Sequence, residues 1–417
     1  MSPVTVAIIG AGNRGRAYAS WVLKNPARSQ VVAVADPDPV HRGRLAAAHR
    51  IDGSAVFADW RDLVAGDRLA DAVVIATPDV LHVEPAVAAA ERGYHIMLEK
   101  PMAQTREGCV RIVDAVLKAG VLFAVCHVLR YTPYTAAVKQ VVASGRIGEV
   151  LSIQHLEPVG FWHQAHSYVR GKWRRSDRSS PMLLAKSCHD LDWLQYIMDR
   201  PIRRISSFGR LSHFRPENRP QGAADRCVDC SVETTCAYSA KRLYLGMFAE
   251  GRRGWPLDVL VHDVTEDQID HALRTGPYGR CVYSCDNDVV DHQVVAMEFA
   301  GGATGTFTMT AFTTGGPRRT QIFGTRGELS SIGRSVVVHD FLTGNRETID
   351  ASAGGDATAG GGHSGGDHAL INAFIQAVDT GNPQHIRSGP QESLSSHLAV
   401  FAAERARSEG IIAEIEP

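Results

Sequence analysis

No single sign of charge dominates this sequence. Its 417 residues carry 44 lysines and arginines against 45 aspartates and glutamates, for a formal net charge of -1. That balance removes the broad electrostatic case for a polyanionic partner, and no nucleic acid is expected. With 44% hydrophobic residues, disorder is excluded as a class. Long apolar runs are also missing. No stretch approaches the roughly 18 residues of a membrane span, so no membrane partner is expected. A basic leader ahead of an apolar core is absent as well. Val4–Ile9 meets glycine too soon for a secretion segment and reads as a strand. The expected location is therefore the cytoplasm. Cysteines are few, and most of the eight fall between Cys188 and Cys285. Cytoplasmic disulfides are uncommon, so that grouping asks for another explanation.

What is present begins with alternation. Strand-like runs recur at 4–9, 31–35, 72–76, 94–98 and 121–126. Helical stretches are predicted between them, near 15–24, 41–48, 80–92 and 106–118. That order is βαβ repeated, and it predicts an α/β unit with a parallel sheet covered on both faces.

The first strand runs into GAGNRG, residues Gly10, Ala11, Gly12, Asn13, Arg14 and Gly15. Gly10 permits a tight turn, Gly12 lets backbone approach a pyrophosphate, and Gly15 lets helix pack closely on strand. The amides at the helix start then face the phosphates. The second strand ends in Asp36, 21 residues after Gly15. Its carboxylate accepts bonds from ribose hydroxyls and repels a 2′-phosphate, which favours NAD over NADP. Arg42 and Arg44 keep NADP open. In ATPDVLH, Thr77 is a candidate cofactor-lining residue, and His82 either stacks near the cofactor or caps a helix.

The fourth βα junction carries Glu99, Lys100 and Pro101, a charged pair at the carboxyl end of a buried strand. With GAGNRG, Asp36 and ATP, this EKP segment resembles the Gfo/Idh/MocA family (glucose-fructose oxidoreductase, inositol dehydrogenase, rhizopine catabolism). The resemblance spans nearly the whole chain. It implies an N-terminal Rossmann domain over 1–127 and a C-terminal α+β domain over 128–417. The second domain is expected to rest on a mostly antiparallel sheet whose open face forms a homodimer or homotetramer. It implies that Glu99 and Lys100 border the cofactor and that Lys100 positions the substrate hydroxyl. In LLAKSCHDLDWLQYIM, His189 matches the family's catalytic histidine. An imidazole accepts the hydroxyl proton as hydride leaves the carbinol carbon, and returns it in reduction.

One position departs from the family. Many polyol dehydrogenases in it carry an aspartate four positions before the histidine. Here that position is Ala185, with Lys186 beside it. Lys186 becomes a candidate for binding a substrate hydroxyl or carboxylate. Asp192 is either an orienting group or a helix-to-backbone contact. Arg130 and Tyr131 sit where relatives place cofactor or substrate contacts, and a domain-interface role competes for both. His163 and His292 are further substrate-facing candidates, against a solvent loop for the first and a brace for the second. Asp288 and Asp291 share that last alternative.

The second half predicts a helix over 134–143 and strands at 149–156, 204–210, 293–299, 304–311 and 320–323. Gly301-Gly302 predicts a hairpin turn between the 293 and 304 strands. Glycine-rich 354–366 reads as a flexible loop, and helices are expected near 368–377 and 392–408. Between about 213 and 290 lies an expected cysteine-rich insertion. Cys227 and Cys230 form a CxxC, Cys236 adds a third thiol, and Cys281 is preferred over Cys285 as a fourth. Four thiolates satisfy tetrahedral zinc and staple a segment with little core of its own. Reduced structural cysteines, a redox pair, a disulfide and an iron-sulfur cluster are the competing readings.

The activity these residues imply is hydride transfer between NAD(P) and a secondary hydroxyl of a sugar, inositol or sugar acid. The rival enzyme is a glycosidase, epimerase or lyase that retains NAD and oxidises only transiently. The non-enzymatic rival is an NAD-binding redox sensor, against which Lys100 and His189 both argue.

Overall fold

The computed structural model describes residues 2–351 and 365–415. Two sheets organise it. The first contains β1 (Val4–Ile9), β2 (Ser29–Ala35), β3 (Val56–Phe57), β4 (Ala72–Ile75), β5 (His95–Leu98) and β6 (Phe123–Val125). Their order is β3-β2-β1-β4-β5-β6, and every pairing is parallel. Strand order reverses between β1 and β4, so a crevice opens at the carboxyl ends of these two strands, where α/β sheets take their ligands. The four residues of β4 are wholly buried, as expected for a strand covered on both faces.

The helices of this half start and stop for local reasons. Asp38 caps Pro39–His49 by accepting from the Val40 and His41 amides. Thr105 caps Arg106–Ala119 in the same way, and Gly120 ends it at φ +65°. Two elements exceed the sequence expectation, strand β3 and the short helix Trp60–Ala65. A two-residue strand carries no usable periodicity. The predicted 80–92 helix is split into a 3₁₀ turn, Asp79–Leu81, and a helix, Val83–Glu91.

The first layer is finished from the far end of the chain. Helix Gly366–Thr380 packs Leu370, Ile371, Phe374 and Ile375 into one apolar cluster with Val6, Ile8, Tyr18 and Val34. The glycine-rich segment expected over 354–366 lies outside the described residues up to 364, and Gly366 already opens this helix.

The second sheet has nine strands: β7 (Val150–Pro158), β8 (Ile202–Arg210), β9 (His292–Phe299), β10 (Thr304–Thr310), β11 (Arg319–Gly324), β12 (Gly327–Ile332), β13 (Ser335–Asp340), β14 (Arg346–Asp350) and β15 (Ala413–Glu414). Their order is β14-β13-β12-β11-β7-β10-β9-β8-β15. All pairings are antiparallel except β7 with β10, which are parallel, so the sheet is mixed at one place. Gly301 and Gly302, at φ +88° and +85°, turn β9 into β10 as the sequence predicts. Helices Pro133–Ala143, Met182–Met198 and Pro390–Glu409 bury Val138, Leu191, Trp193 and Val400 with Ile153, Phe307 and Met309 of the sheet. On the other face Leu151, Phe208 and Val294 are exposed.

Residues 211–291, between β8 and β9, are built mostly of turns and short helices. Their small core joins Cys227, Tyr244, Leu257, Ile269 and Leu273. Among the described residues no helix is long and apolar enough to cross a membrane.

Candidate active site

The glycine loop sits at the mouth of the crevice, and each glycine has its own reason. Gly10 lies at φ +94°, and a Cβ there would stand 2.6 Å from the Ala76 carbonyl oxygen. A Cβ on Gly15 would fall 1.9 Å from the Gly10 carbonyl oxygen, so helix and strand could not approach. A Cβ on Gly12 would meet nothing within 4 Å, which leaves open space beside the backbone. No side chain caps the start of helix Asn13–Lys24, so its first amides remain for a phosphate. The residues fit a dinucleotide.

The Asp36 carboxylate is fixed at the end of β2. One oxygen accepts from the Ala11 amide at 2.6 Å and the other from the Asp38 amide at 2.8 Å. Each oxygen keeps a lone pair for a ribose hydroxyl. Arg42 donates to the Asp36 carbonyl oxygen and Arg44 pairs with Asp263 at 2.6 Å, so both are already engaged. Asn13 accepts from Arg16 and lies 3.3 Å from Asp258.

Arg14 turns inward. It pairs with Glu99 at 2.6 Å and also donates to Tyr18 and Asp367. Burial alone would raise the Glu99 carboxyl; the positive charges of Arg14 and Lys100 hold it below its usual range. The pair thus locks the glycine loop to the end of β5. His82 is buried with one ring nitrogen 2.7 Å from the Pro101 carbonyl and the other 3.0 Å from the Thr77 carbonyl. It joins the turn after β4 to the EKP turn, and neither ring nitrogen is left over for a ligand. Thr77 is half-buried, and its hydroxyl donates to the Leu81 carbonyl at 3.3 Å.

Lys100 leaves this frame and crosses to the second half. Its ammonium donates to the Ala185 carbonyl at 2.7 Å, one helical turn before His189. Helix Met182–Met198 is buried on nearly all sides, which fixes the position of His189 at the junction. Behind His189 stands His127, with ring centroids 5.9 Å apart. Burial drives the His127 imidazole down to about 3 despite the Asp192 carboxylate 3.6 Å away, so it is neutral at physiological pH. Asp192 takes both Arg130 contacts, each at 2.7 Å. Burial opposes its charge, and Arg130 holds the carboxyl below its usual range. Tyr131 packs behind them, its hydroxyl 3.0 Å from Ser388. Arg130 and Tyr131 are thereby buried supports of the site helix, and neither opens onto the crevice.

Two family models together match most of the chain. One, an oxidoreductase family with an NAD-binding Rossmann fold, matches residues 4–127. Its companion, the C-terminal alpha/beta domain of the same family, matches 139–410. The chain belongs to the Gfo/Idh/MocA oxidoreductase family. It is an NAD(P)-dependent oxidoreductase of that type. It is 22% identical over 331 residues to the oxidoreductase YteT of Bacillus subtilis, covering 74% of this chain and 73% of that one. It is 31% identical over 262 residues to levoglucosan dehydrogenase of Pseudarthrobacter phenanthrenivorans. That alignment takes in 57% of this chain and 65% of the relative, less than two thirds of its length. The fold of an oxidoreductase domain protein from Kribbella flavida superposes with a TM-score of 0.72 at 20% identity, over all of both chains.

Within this Gfo/Idh/MocA chain, two charged side chains of the site region escape the sequence reading. Glu157, on β7, pairs with Lys186 at 3.2 Å and with Arg318 at 3.0 Å. Arg318 continues to Asp190, which is bonded to His155 at 3.1 Å. Lys186 therefore ends a buried charge chain. Lys172 is the other, on the turn after the π-helical segment Gln164–Arg170. Strand alternation and helical periodicity say nothing about either, because their importance comes from what faces them. His163 lies among aromatic rings, with Trp255 at 5.0 Å and Trp162 at 5.6 Å between centroids. His292 opens β9, paired with Asp291 at 2.8 Å and 41% exposed. Asp288 accepts from the Ser176 amide at 2.7 Å, so it braces the loop bearing Lys172.

All eight cysteines are free thiols, and Cys109, Cys126 and Cys188 are buried far from the others in sequence. Cys227, Cys230, Cys236 and Cys281 line one small cavity together with Arg170. The Cys281 amide donates to Asp225 at 2.8 Å, and Arg226 bridges Arg280, so the two cysteine-bearing segments lie side by side. The thiols are not drawn to ligand spacing, and no closed cysteine cluster is formed. Among the described residues the one set with its ligand atoms within 4.8 Å of each other is Asp38, His41 and His262, at the outer edge of the nucleotide half. Cys285 does not line the cavity; its thiol donates to the Cys281 carbonyl at 3.3 Å.

Proposed function

We propose that this oxidoreductase oxidises or reduces a secondary alcohol of a sugar, inositol or sugar acid, with NAD as the preferred cofactor. The observation that carries the reading is the bond from Lys100 to the Ala185 carbonyl, which brings the EKP lysine within one helical turn of His189. When bound, the nicotinamide supplies the hydride acceptor. Lys100 holds the hydroxyl oxygen and stabilises its developing negative charge. His189 takes the hydroxyl proton, and returns it in the reverse direction. Gly10, Gly12, Asn13 and Gly15 hold the pyrophosphate and Asp36 the adenosine ribose, while Arg14, Glu99, Thr77 and His82 keep the surrounding turns in place. His163 and His292 border the substrate side. The Asp36 carboxylate supports NAD over NADP. The test is a turnover screen with NAD or NADP and a panel of sugars, polyols and sugar acids. Reduced cofactor equal to product supports net oxidation. Product without accumulating reduced cofactor would assign the retained-cofactor chemistry instead.

Cys227, Cys230, Cys236 and Cys281 are proposed to hold a structural zinc. Their shared cavity, the soft donor set and a buried Arg170 that donates to Cys227 at 3.5 Å support it. Side-chain rotation would have to close the four sulfurs around the ion. Metal analysis of the purified chain is expected to give one zinc, lost in C227S and C236S and kept in C285S; absence of metal from the unaltered chain overturns it. The exposed face with Leu151, Phe208 and Val294 is proposed to pair with a second copy, as a homodimer or homotetramer. F208E is expected to shift the mass in solution to that of one chain.

A further inference from the structure

Three lysines border the junction of the two halves, and one is already neutralised. Lys186 pairs with Glu157. Lys100 has only a neutral partner, the Ala185 carbonyl. Lys172 has an aromatic one, its ammonium 4.5 Å above the Trp173 ring. Among the described residues, no carboxylate lies within ion-pair distance of Lys100 or Lys172.

Lys172 is solvent-exposed, yet protein surrounds much of it. Burial lowers its ammonium below the usual range, and the positive charge of Lys100 adds to that. The geometry places it: the adjacent Trp173 bonds Asp79 on the turn after β4, and His82 at the end of that turn bonds the Pro101 carbonyl at 2.7 Å, so the Lys172 turn lies beside the EKP turn that carries Lys100. Asp79 acts in the opposite sense without forming an ion pair. One oxygen of its carboxylate, Oδ2, accepts from Trp173 at 3.2 Å, Ser179 at 3.2 Å and Ser180 at 3.5 Å.

The turn that carries Lys172 is held from every side. A Cβ on Gly171 would stand 2.6 Å from the His166 carbonyl, so the chain passes closely over the preceding π-helical turn. Trp173 is bonded to Asp79 in the nucleotide half. Arg174 binds Asp286 at 2.9 Å, its carbonyl accepts from the Asp288 amide at 3.0 Å, and Ser176 binds Asp288. An ordinary surface lysine needs no such support. Two ammonium groups, one from each half, thus border one junction without an ion pair to either. An anion between them would give both their missing ion-pair partner.

We propose that Lys172 binds an anionic substituent of the substrate, a carboxylate or a phosphate monoester. The reacting molecule is then a hydroxy acid or a sugar phosphate in preference to a neutral sugar. The proposal rests on the dehydrogenase reading for the identity of the bound molecule as a substrate. Lys100 holds the reacting hydroxyl while Lys172 fixes the charged end, so together they set which hydroxyl faces His189. An ammonium–anion hydrogen bond of this kind corresponds to a preference of about 30-fold.

The experiment compares the full-length chain with K172M and K172R. Each is assayed with saturating NAD on neutral sugars and inositols, on aldonates and uronates, and on hexose phosphates, recording kcat and KM for each and the Kd for NAD. In parallel, gluconate, glucose 6-phosphate and glucitol are titrated calorimetrically into the NADH-loaded proteins. The unaltered chain is expected to prefer one anionic set by about 30-fold in kcat/KM. K172M should collapse that ratio through KM, with the Kd for NAD changed less than about twofold, and K172R should restore most of it. The carboxylate and phosphate arms identify the source of the anion. Equal use of anionic and neutral substrates, an equal loss on both in K172M, or a shift in NAD affinity in place of the ratio would overturn the proposal. If nothing is turned over but an anion binds in a Lys172-dependent manner, the redox reading fails and this one stands. If no anion binds, this one fails whatever the turnover shows.

Discussion

The two groups proposed to carry the reaction, Lys100 and His189, come from halves of opposite character. Lys100 lies just past a strand of an all-parallel sheet whose glycine turn and helix caps are explained by nearby residues or by the adjacent strand. Gly10, Gly15, Asp36 and the Thr105 cap all act within one βα unit or on the adjacent strand. His189 stands on a helix fixed by partners scattered over the chain: Arg130 lies 62 residues before its Asp192 partner, and Arg318 lies 128 residues after Asp190. A half built from local rules can be read in order. A half built from long-range charge pairs is decided only when the chain closes on itself.

The largest expected effect falls where the halves meet. K100M and H189N should each lower kcat by about 10²- to 10⁴-fold while NAD still binds, as judged by nucleotide fluorescence titration. Equal loss of NAD binding would place both residues in the cofactor half and dissolve the contrast. Next comes the long-range pair. D192A leaves the Arg130 charge buried without its carboxylate and should cost about 3–5 kcal/mol in urea unfolding. A change below 1 kcal/mol (about the size of a surface pair) would mean that water reaches Arg130.

The local half should yield more narrowly. G15A forces a methyl group against the Gly10 carbonyl and is expected to cost about 1–3 kcal/mol, with weaker NAD binding and no change in the folding of the second half. Burial holds His127 near 3 and His397 near 4, both below the ordinary value. The unfolded chain therefore takes up these protons first as pH falls. Stability is complete above about pH 6.5 and declines toward pH 4, by up to about 1.4 kcal/mol per pH unit for each histidine. H397Q, which keeps a donor and an acceptor, should flatten that slope; an unchanged slope would assign it to other groups. The smallest effect is on cofactor choice, where D36S should shift the NADP-to-NAD preference by about tenfold, read from paired KM values.

Most of the first sheet was legible because burial on both faces and turn chemistry leave short-range marks. The misses have the same physical origin. Strands β12, β13 and β14 were not anticipated, since Ser330, Ser331 and the polar run Arg346–Asp350 dilute the alternation of an edge. Strand β15, two residues long, exists only because β8 offers it an edge. The sequence leaves His82 between a cofactor contact and a helix cap; it stands at the cap position of Val83–Glu91, and only the fold shows that its ring ties two turns together. Lys186 is a substrate-contact candidate in the sequence, which gives no sign of its Glu157 partner. Glu157 and Lys172 gave no signal at all, because an isolated charge in sequence has no known partner.

The sequence by itself determined the family, the glycine loop and the place of Asp36, and it singled out Lys100 and His189 as candidates, because each depends on neighbours a few residues away or on a motif of fixed spacing. Only the tertiary structure decided that helix Gly366–Thr380 returns to complete the first layer, that Lys100 reaches Ala185, and that Lys186 pairs with Glu157. Those outcomes depend on distances between residues far apart in the chain, and such distances are set by how whole layers pack.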